Sequence, residues 1–350
     1  MKKLKDERLF RLIHDFLKIY MPNQKHTSPN TIKSYKETLN LFLDYTTKVK
    51  GIPIMDLSFS KIDSQMLFGF FDWLETERHC SISTRNQRLA CIRSFYKYAS
   101  TIDFTLMVYR NEILKVPLKK DSGKKKVVKY MTEDSVKAIL KQPDIHTDKG
   151  IRDQFFMVLM YDTGMRDREV LDLRFGNVDA NSKTPCVHVT GKGGKQRIVP
   201  IMPKTVEHFK KYARIFHPEN NPEQYLFYTV RHGVILPMSD DNVARFMDIY
   251  SHKAKLECRE VPDHIHPHMW RHSRSIHLYR SGMPLALLAE WLGHAQLETT
   301  QVYAYADTEM KRDAIKKATG KMNPLMSKKE KPCWKDENSE ELIRKLYGLR

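Results

Sequence analysis

Four short stretches carry residues whose types and spacing suit polar chemistry. In TGMRDREVLDL, Arg166 follows a tight Thr-Gly turn, opens a predicted helix and lies three residues before Glu169. A guanidinium at a helix start is a ready anion site; it is equally an ordinary ion-pair partner for the Glu169 carboxylate. In TGKGGKQR, Lys192 stands between Gly191 and Gly193. A glycine-flanked ammonium can swing onto a phosphate or donate a proton, or it can stay solvated in its turn. The pattern is not a P-loop, which ends in Gly-Lys-Ser/Thr before a helix. In HPHMWRHSRSIHLYRSG, His268 and Arg271 are three residues apart and share a face if they open a helix. One shuttles protons and the other binds oxygens, a pairing that suits phosphate chemistry. His264, His266 and His268 alternate and would converge on one face of a strand, but no nearby carboxylate or cysteine completes a tetrahedral metal set. In LGHAQLETTQVYAYAD, His294 follows Gly293, and two tyrosines, Tyr303 and Tyr305, come after it. Either phenol can react or pack.

These residues must be held by elements that the sequence also outlines. The front part reads as helices throughout. MKKLKDERLFRLIHDFLKIY puts Leu9, Phe10, Ile13, Phe16 and Leu17 on one stripe, and it has neither the apolar core nor the cleavage site of a signal peptide. SPNTIKSYKETLNLFLDYTTKVKG is capped by Ser28 or Asn30 and ends at Gly51, with Ile32, Tyr35, Leu39, Leu41, Phe42 and Tyr45 at helical spacing. SKIDSQMLFGFFDWLETER and SISTRNQRLACIRSFYKYAS complete a bundle; the last buries Leu89, Ile92, Phe95 and Tyr96 and turns Arg85, Arg88, Arg93 and Lys97 to other faces. Seven lysines crowd residues 115–131 around a Ser-Gly turn, which reads as an interdomain linker lying along a phosphate backbone. Beyond it, Thr132 caps a helix, a longer helix breaks at Thr163-Gly164, and CVHVTGKGGKQRIVPI is a β-hairpin. From about 204 onward the pattern is helical. A polar spacer near the end leads to a small amphipathic stretch with Leu342, Ile343, Leu346 and Tyr347.

Composition narrows the partner. The 350 residues hold 60 Lys+Arg against 42 Asp+Glu, a net charge of +18, with 41% apolar residues. That length supports two cores, and the charge points to a polyanion, nucleic acid first and an anionic membrane surface second. No run of about 18 apolar residues marks a membrane span. Five scattered cysteines without a C-x-x-C pair fit a reducing cytoplasm, with neither a disulfide framework nor a zinc ribbon.

TGMRDRE, GKGGKQRIVPI, HMWRH, LGH and TTQVY, in this order, resemble the motifs of the tyrosine recombinase (phage integrase) family over roughly residues 130–310. The front part is similar to the family's core-binding domain more weakly. Trp270 departs from the usual leucine, at a position that should pack. The resemblance implies a mainly α fold with a small β-sheet. It divides the chain into a helical core-binding domain at 1–117, a basic linker at 118–128 and a catalytic domain at 129–324; the apolar stripe beyond the polar spacer makes the tail, 325–350, an expected contact between protomers. It implies a site-specific recombinase that cuts and rejoins duplex DNA through a 3′-phosphotyrosyl link, for integration or excision of a mobile element. An Xer-type dimer resolvase and a catalytically silent DNA-binding protein are the alternatives, and a type IB topoisomerase shares the chemistry. By resemblance Arg166 and Arg271 bind the phosphate, His268 handles the tyrosine's proton, Lys192 is the general acid, His294 bonds the phosphate in the transition state, and Glu169 holds the site's cations. The spacing from His294 and the Thr-Thr-Gln-Val lead-in select Tyr303 as nucleophile; Tyr305, about 200° away on a helix, is dispensable. His272 is read as structural. Arg85, Arg88, Lys124, Lys125 and Lys126 are expected to touch DNA. No metal or other cofactor is implied. The expected partners are core-site DNA, three further copies of the chain at synapsis, and accessory directionality or DNA-bending proteins, in a bacterial cytoplasm at the nucleoid. The front domain begins almost at Met1, so a separate arm-binding domain is not expected.

Overall fold

A computed structural model describes residues 4–120, 128–191, 194–294, 296, 298–304, 312, 315 and 344. The chain forms two compact units, Met1–Lys125 and Lys126–Arg350.

The front unit is helical. Asp6 starts α1 (Glu7–Asp15) by accepting from Leu9 N, and its other oxygen accepts from Phe59 N, 53 residues away. The helix continues as a π-helical run, Phe16–Gln24, around Pro22, which has no N–H for the ladder. Ser28 caps α2 (Pro29–Asp44), Asp63 caps α3 (Ser64–Thr76) and Ser81 caps α4 (Ile82–Ile102), each through a side-chain oxygen on a first-turn N–H. A further short helix, α5 (Met107–Leu114), follows α4. The core joins Leu9, Phe16, Phe42, Phe70, Phe71, Phe95 and Tyr96, the apolar stripes that periodicity predicts.

Arg85 corrects an expectation. It is 2% exposed, its Nη1 donates to Pro117 O at 2.8 Å, its Nε lies 3.2 Å from Glu75, and it covers the Phe71 ring at 4.9 Å. This cation holds the bundle together and is not on offer to DNA. Arg88 is half-buried, and Lys124, Lys125 and Lys126 lie outside the described residues.

The second unit opens on Val128 and Tyr130, which pack toward the later helices. Thr132 caps α6 (Glu133–Leu140), and α7 (Asp148–Thr163) stops at Gly164, whose φ of 56° needs glycine. A Cβ at Gly164 would sit 2.6 Å from the Trp291 ring. A short helix, α8 (Asp167–Leu171), precedes an antiparallel sheet of β1 (Val178–Asp179), β2 (Cys186–Thr190) and β3 (Gln196–Pro200), in that order, with Val189 opposite Arg197. Asp162 then fixes the start of α9 (Pro203–Phe216), accepting from Met202 N at 2.8 Å and Thr205 Oγ1 at 2.7 Å.

A second hairpin follows where helix was expected: β4 (Tyr228–Arg231) and β5 (Val234–Pro237). His232 and Gly233 both take positive φ, the turn geometry that suits two-residue hairpins. The remaining helices are α10 (Asp240–Glu257), α11 (Pro267–Arg280), α12 (Leu285–Leu292) and α13 (Glu298–Ala304). Because Pro267 begins a helix, the strand on which His264, His266 and His268 would have converged does not exist. Among the described residues no group of three potential ligands is placed to hold a metal. Trp270 is fully buried in the main core. No helix among the described residues is long and apolar enough to cross a membrane.

Candidate active site

The site gathers at the ends of several elements in the second unit. Arg166 opens α8, and Glu169 folds back onto it: one carboxylate oxygen accepts from Arg166 N at 3.0 Å and the other from Arg166 Nη1 at 2.7 Å. Arg197 on β3 grips the same carboxylate with both terminal nitrogens, at 2.7 and 3.2 Å. Burial alone would raise the Glu169 pKa, but the bonds from Arg197 and Arg166 overcome it and hold the carboxyl down at about 2. Glu169 is therefore a fixed anion clamping two guanidiniums.

Arg271, on α11, is 3% exposed. Its Nη1 donates to Gly164 O at 2.6 Å and its Nη2 to Leu292 O at 2.7 Å. Both carbonyls lie at helix C-terminal ends, where backbone oxygens lack helical donors and carry partial negative charge. Burial, with Arg166 nearby, lowers the Arg271 pKa to about 10, which still leaves it charged at neutral pH.

Gly293 ends α12 in the left-handed conformation, and His294 leaves the turn with Nδ1 2.8 Å from the buried Thr300 hydroxyl. Burial, then Arg271, Arg166 and Arg197, push the His294 pKa down to about 4, so its ring is neutral at pH 7. Tyr303, on α13, is 2% exposed among Ile276, Leu288 and Leu292. Burial raises its pKa; Ser275 and the two arginines, Arg271 and Arg166, oppose that.

The Tyr303 hydroxyl is hydrogen-bonded to His272 Nδ1, at 2.9 Å, and not to His268. His268 is exposed one turn earlier on α11, its ring 6.2 Å from that of His272. Burial and the neighbouring histidines hold His272 near 4, also neutral. His272, expected to be structural, is thus the side chain in hydrogen-bond contact with the Tyr303 hydroxyl.

Lys192 lies outside the described residues. Its neighbour Gly191 begins the turn, its N–H donating to Lys195 O at 2.7 Å, and a Cβ there would meet Glu169 at 3.3 Å. The hairpin turn therefore departs beside the clamped arginines. A groove of about 1070 Å³ runs past Arg166, Lys195, Arg197, Trp291 and His294; Arg271, His272 and Tyr303 are not part of its lining. Chemically, the site offers permanent positive charge, neutral imidazoles and a phenol, while its carboxylate is committed to cations. Such a set stabilises an anionic transition state at a phosphate-sized group.

The "Phage integrase family" model matches residues 129–310, and the "Phage integrase SAM-like domain" model matches residues 12–116. The chain belongs to the phage integrase family, the tyrosine-type site-specific recombinases. It is 29% identical to a putative integrase/recombinase, y4rC, of Sinorhizobium fredii, over 90% of this chain and 93% of that protein. It is 30% identical to the tyrosine recombinase XerC of Myxococcus xanthus, over 83% of this chain and 91% of the relative. Among solved structures, the XerH recombinase bound to palindromic difH substrate shares the fold at a TM-score of 0.63 and 20% identity, covering 91% of each chain. The Tn1549 transposon integrase in complex with transposon right end DNA shares it at 0.61 and 16%, covering 86% of this chain and 98% of that one.

Two residues in contact with the expected site carry no site role in the sequence: Arg197, which closes the GKGGKQR stretch and bonds Glu169, and His272, which directly follows Arg271, lies one turn after His268 and bonds Tyr303. An i, i+4 histidine pair flanking an arginine was the available signal for the second.

Proposed function

We propose that this recombinase cleaves and rejoins duplex DNA through Tyr303, for integration or excision of a mobile element. The observation that carries the reading is the meeting, at one spot, of a buried phenol, a neutral imidazole and the Arg271 guanidinium. Tyr303 attacks the scissile phosphorus, forming a 3′-phosphotyrosyl bond and releasing a 5′-oxygen. Covalent storage of the broken ester lets the strand be resealed without an energy source. Arg166 and Arg271 hold the non-bridging oxygens, with the permanent charge and forked geometry that a lysine lacks. Lys192 protonates the leaving oxygen, His294 bonds the phosphate, His268 handles protons from the exposed side, and Glu169 keeps Arg166 in place.

Residues 1–117 act as the core-binding domain and 129–324 as the catalytic domain, joined by the basic 118–128 linker, with Arg88, Lys124, Lys125 and Lys126 as backbone contacts. The net charge of +18 supports a duplex as partner. Two cuts in each of two duplexes need four protomers. The tail, 325–350, docks its Leu342, Ile343 and Leu346 side on a neighbour, so deleting residues 336–350 spares DNA binding and weakens synapsis.

The XerC relatives favour a second reading, resolution of chromosome or plasmid dimers. Sequencing covalently trapped DNA ends separates the two: element termini support integration, and one recurrent chromosomal or plasmid site supports resolution. A nicked suicide duplex carrying the trapped site tests the chemistry. Wild type should accumulate a covalent complex and Tyr303→Phe none. Trapping by the Phe variant, or none by wild type, overturns the assignment, the latter in favour of a silent DNA-binding protein.

A further inference from the structure

We infer that His272 is the base that takes the phenolic proton of Tyr303, through Nδ1. The inference rests on Tyr303 being the nucleophile. Three observations carry it.

The first is distance. Nδ1 is 2.9 Å from the Tyr303 oxygen, within the reach that proton transfer requires. The rings meet at 58° with centroids 5.7 Å apart, so the pair is aligned by its hydrogen bond and not by stacking.

The second is the absence of a competing base among the described neighbours. Glu169, the nearby carboxylate, is held by Arg166 and Arg197. Ser275, which also faces the phenol, donates its own hydroxyl to Arg271 O at 2.7 Å. His294 is tied to Thr300. His268 stands one turn away on the exposed side.

The third is rigidity. His272 lies between Arg271, pinned to two helix ends, and Ser273, whose hydroxyl accepts from Met131 N at 2.8 Å and donates to Met269 O at 2.7 Å. The backbone that carries the ring is fixed on both sides, so little reorganisation precedes transfer.

The step balances. The Tyr303 O–H proton moves to Nδ1, the phenolic oxygen bonds to phosphorus, and the bond from phosphorus to the 5′-oxygen breaks. That oxygen takes a proton from the general acid assigned to Lys192. Resealing runs each transfer backward, and the His272 proton returns to the phenol. An acceptor role needs the tautomer with its proton on Nε2, the one that leaves Nδ1 free to receive the phenol hydrogen. The ring is a weak base at rest because burial and the neighbouring histidines disfavour its charge. An arriving phosphate brings negative charge beside it and favours the imidazolium.

The test is single-turnover covalent trapping on the nicked duplex, with binding followed by gel shift. His272→Ala should lose about 10²- to 10⁴-fold in rate, the usual contribution of a positioned base, with binding unchanged. His272→Asn keeps a side-chain amide near Nδ1 but cannot take the proton, and should stay at least about tenfold slow on the same ground. Added imidazoles should restore His272→Ala in order of their basicity, which a space-filling role would not produce. A duplex with sulfur in place of the bridging 5′-oxygen has a leaving group that needs no proton. It should rescue Lys192→Ala and leave His272→Ala slow.

A wild-type rate in His272→Asn, rescue blind to basicity, or recovery of His272→Ala on the sulfur duplex overturns the inference. None of these touches the recombinase assignment, which stands or falls with Tyr303→Phe.

Discussion

Glu169→Gln should cost about 3 kcal/mol of stability at pH 7, and the cost should fade in acid. The Glu169 carboxyl titrates near 4.5 when free and at about 2 in the folded chain. That difference corresponds to roughly 3 kcal/mol. Its side chain is 6% exposed, so solvent screening takes little away. The sign follows from the depressed value: the folded state favours the carboxylate, so the stabilisation is complete above the unfolded pKa and is lost as pH falls toward 2. At pH 3 roughly 1 kcal/mol should remain. Glutamine keeps the shape and one oxygen but leaves Arg166 and Arg197 facing each other, with Arg271 close by, uncompensated. Urea unfolding of wild type and variant at pH 7 and pH 3 measures the difference directly. A gap under about 1 kcal/mol at pH 7, the range of an exposed pair, refutes the clamp. So does a gap that stays constant with pH.

Arg85→Ala should destabilise the front unit by about 3 kcal/mol or more in urea, as expected for a broken buried ion pair; unchanged stability with a shallower salt dependence of DNA binding would restore Arg85 as a phosphate contact. Thr300→Val removes the partner of His294 Nδ1 and should slow covalent trapping about tenfold, near the worth of one hydrogen bond, while gel-shift affinity holds. An unchanged trapping rate shows that His294 needs no such anchor. Asp167 has its pKa raised to about 7, first by burial and then by Asp240. The folded state therefore keeps this proton where the unfolded chain has released it, and stability falls as pH rises from about 4 through 7. Asp167→Asn should raise the urea midpoint at pH 8 and change it little at pH 4; a lower midpoint at pH 8 refutes the pairing.

What the sequence disclosed was what local chemistry decides. Ser28 and Thr132 cap helices, and Gly164 and Gly293 end them, because each acts on N–H or C=O groups within a turn of itself. The hairpin of β4 and β5 escaped because Val230 is 60% and Ile235 47% exposed, so its strands lack the alternation that marks a half-buried sheet. Arg85 looked solvent-facing because its partners, Glu75 and Pro117, come from other segments. Motif spacing pointed to Arg166, Arg271 and His294, and the fold brings these three close together. The pairing of His272 with Tyr303 was not legible, since it arises only when α11 meets α13 across 31 residues of chain.

Arg271 has a consequence for how this site can vary. Its guanidinium is the keystone between the end of α7, at Gly164, and the end of α12, at Leu292. Arg166 follows the first end by two residues, and His294 follows the second by two. A shorter or unforked cation in that place would keep the charge and let one end drift, carrying Arg166 or His294 with it. The two helix ends are thus tied through their backbone carbonyls to one side chain, so a change at 271 alone, and not at 164 or 292, sets the spacing between Arg166 and His294.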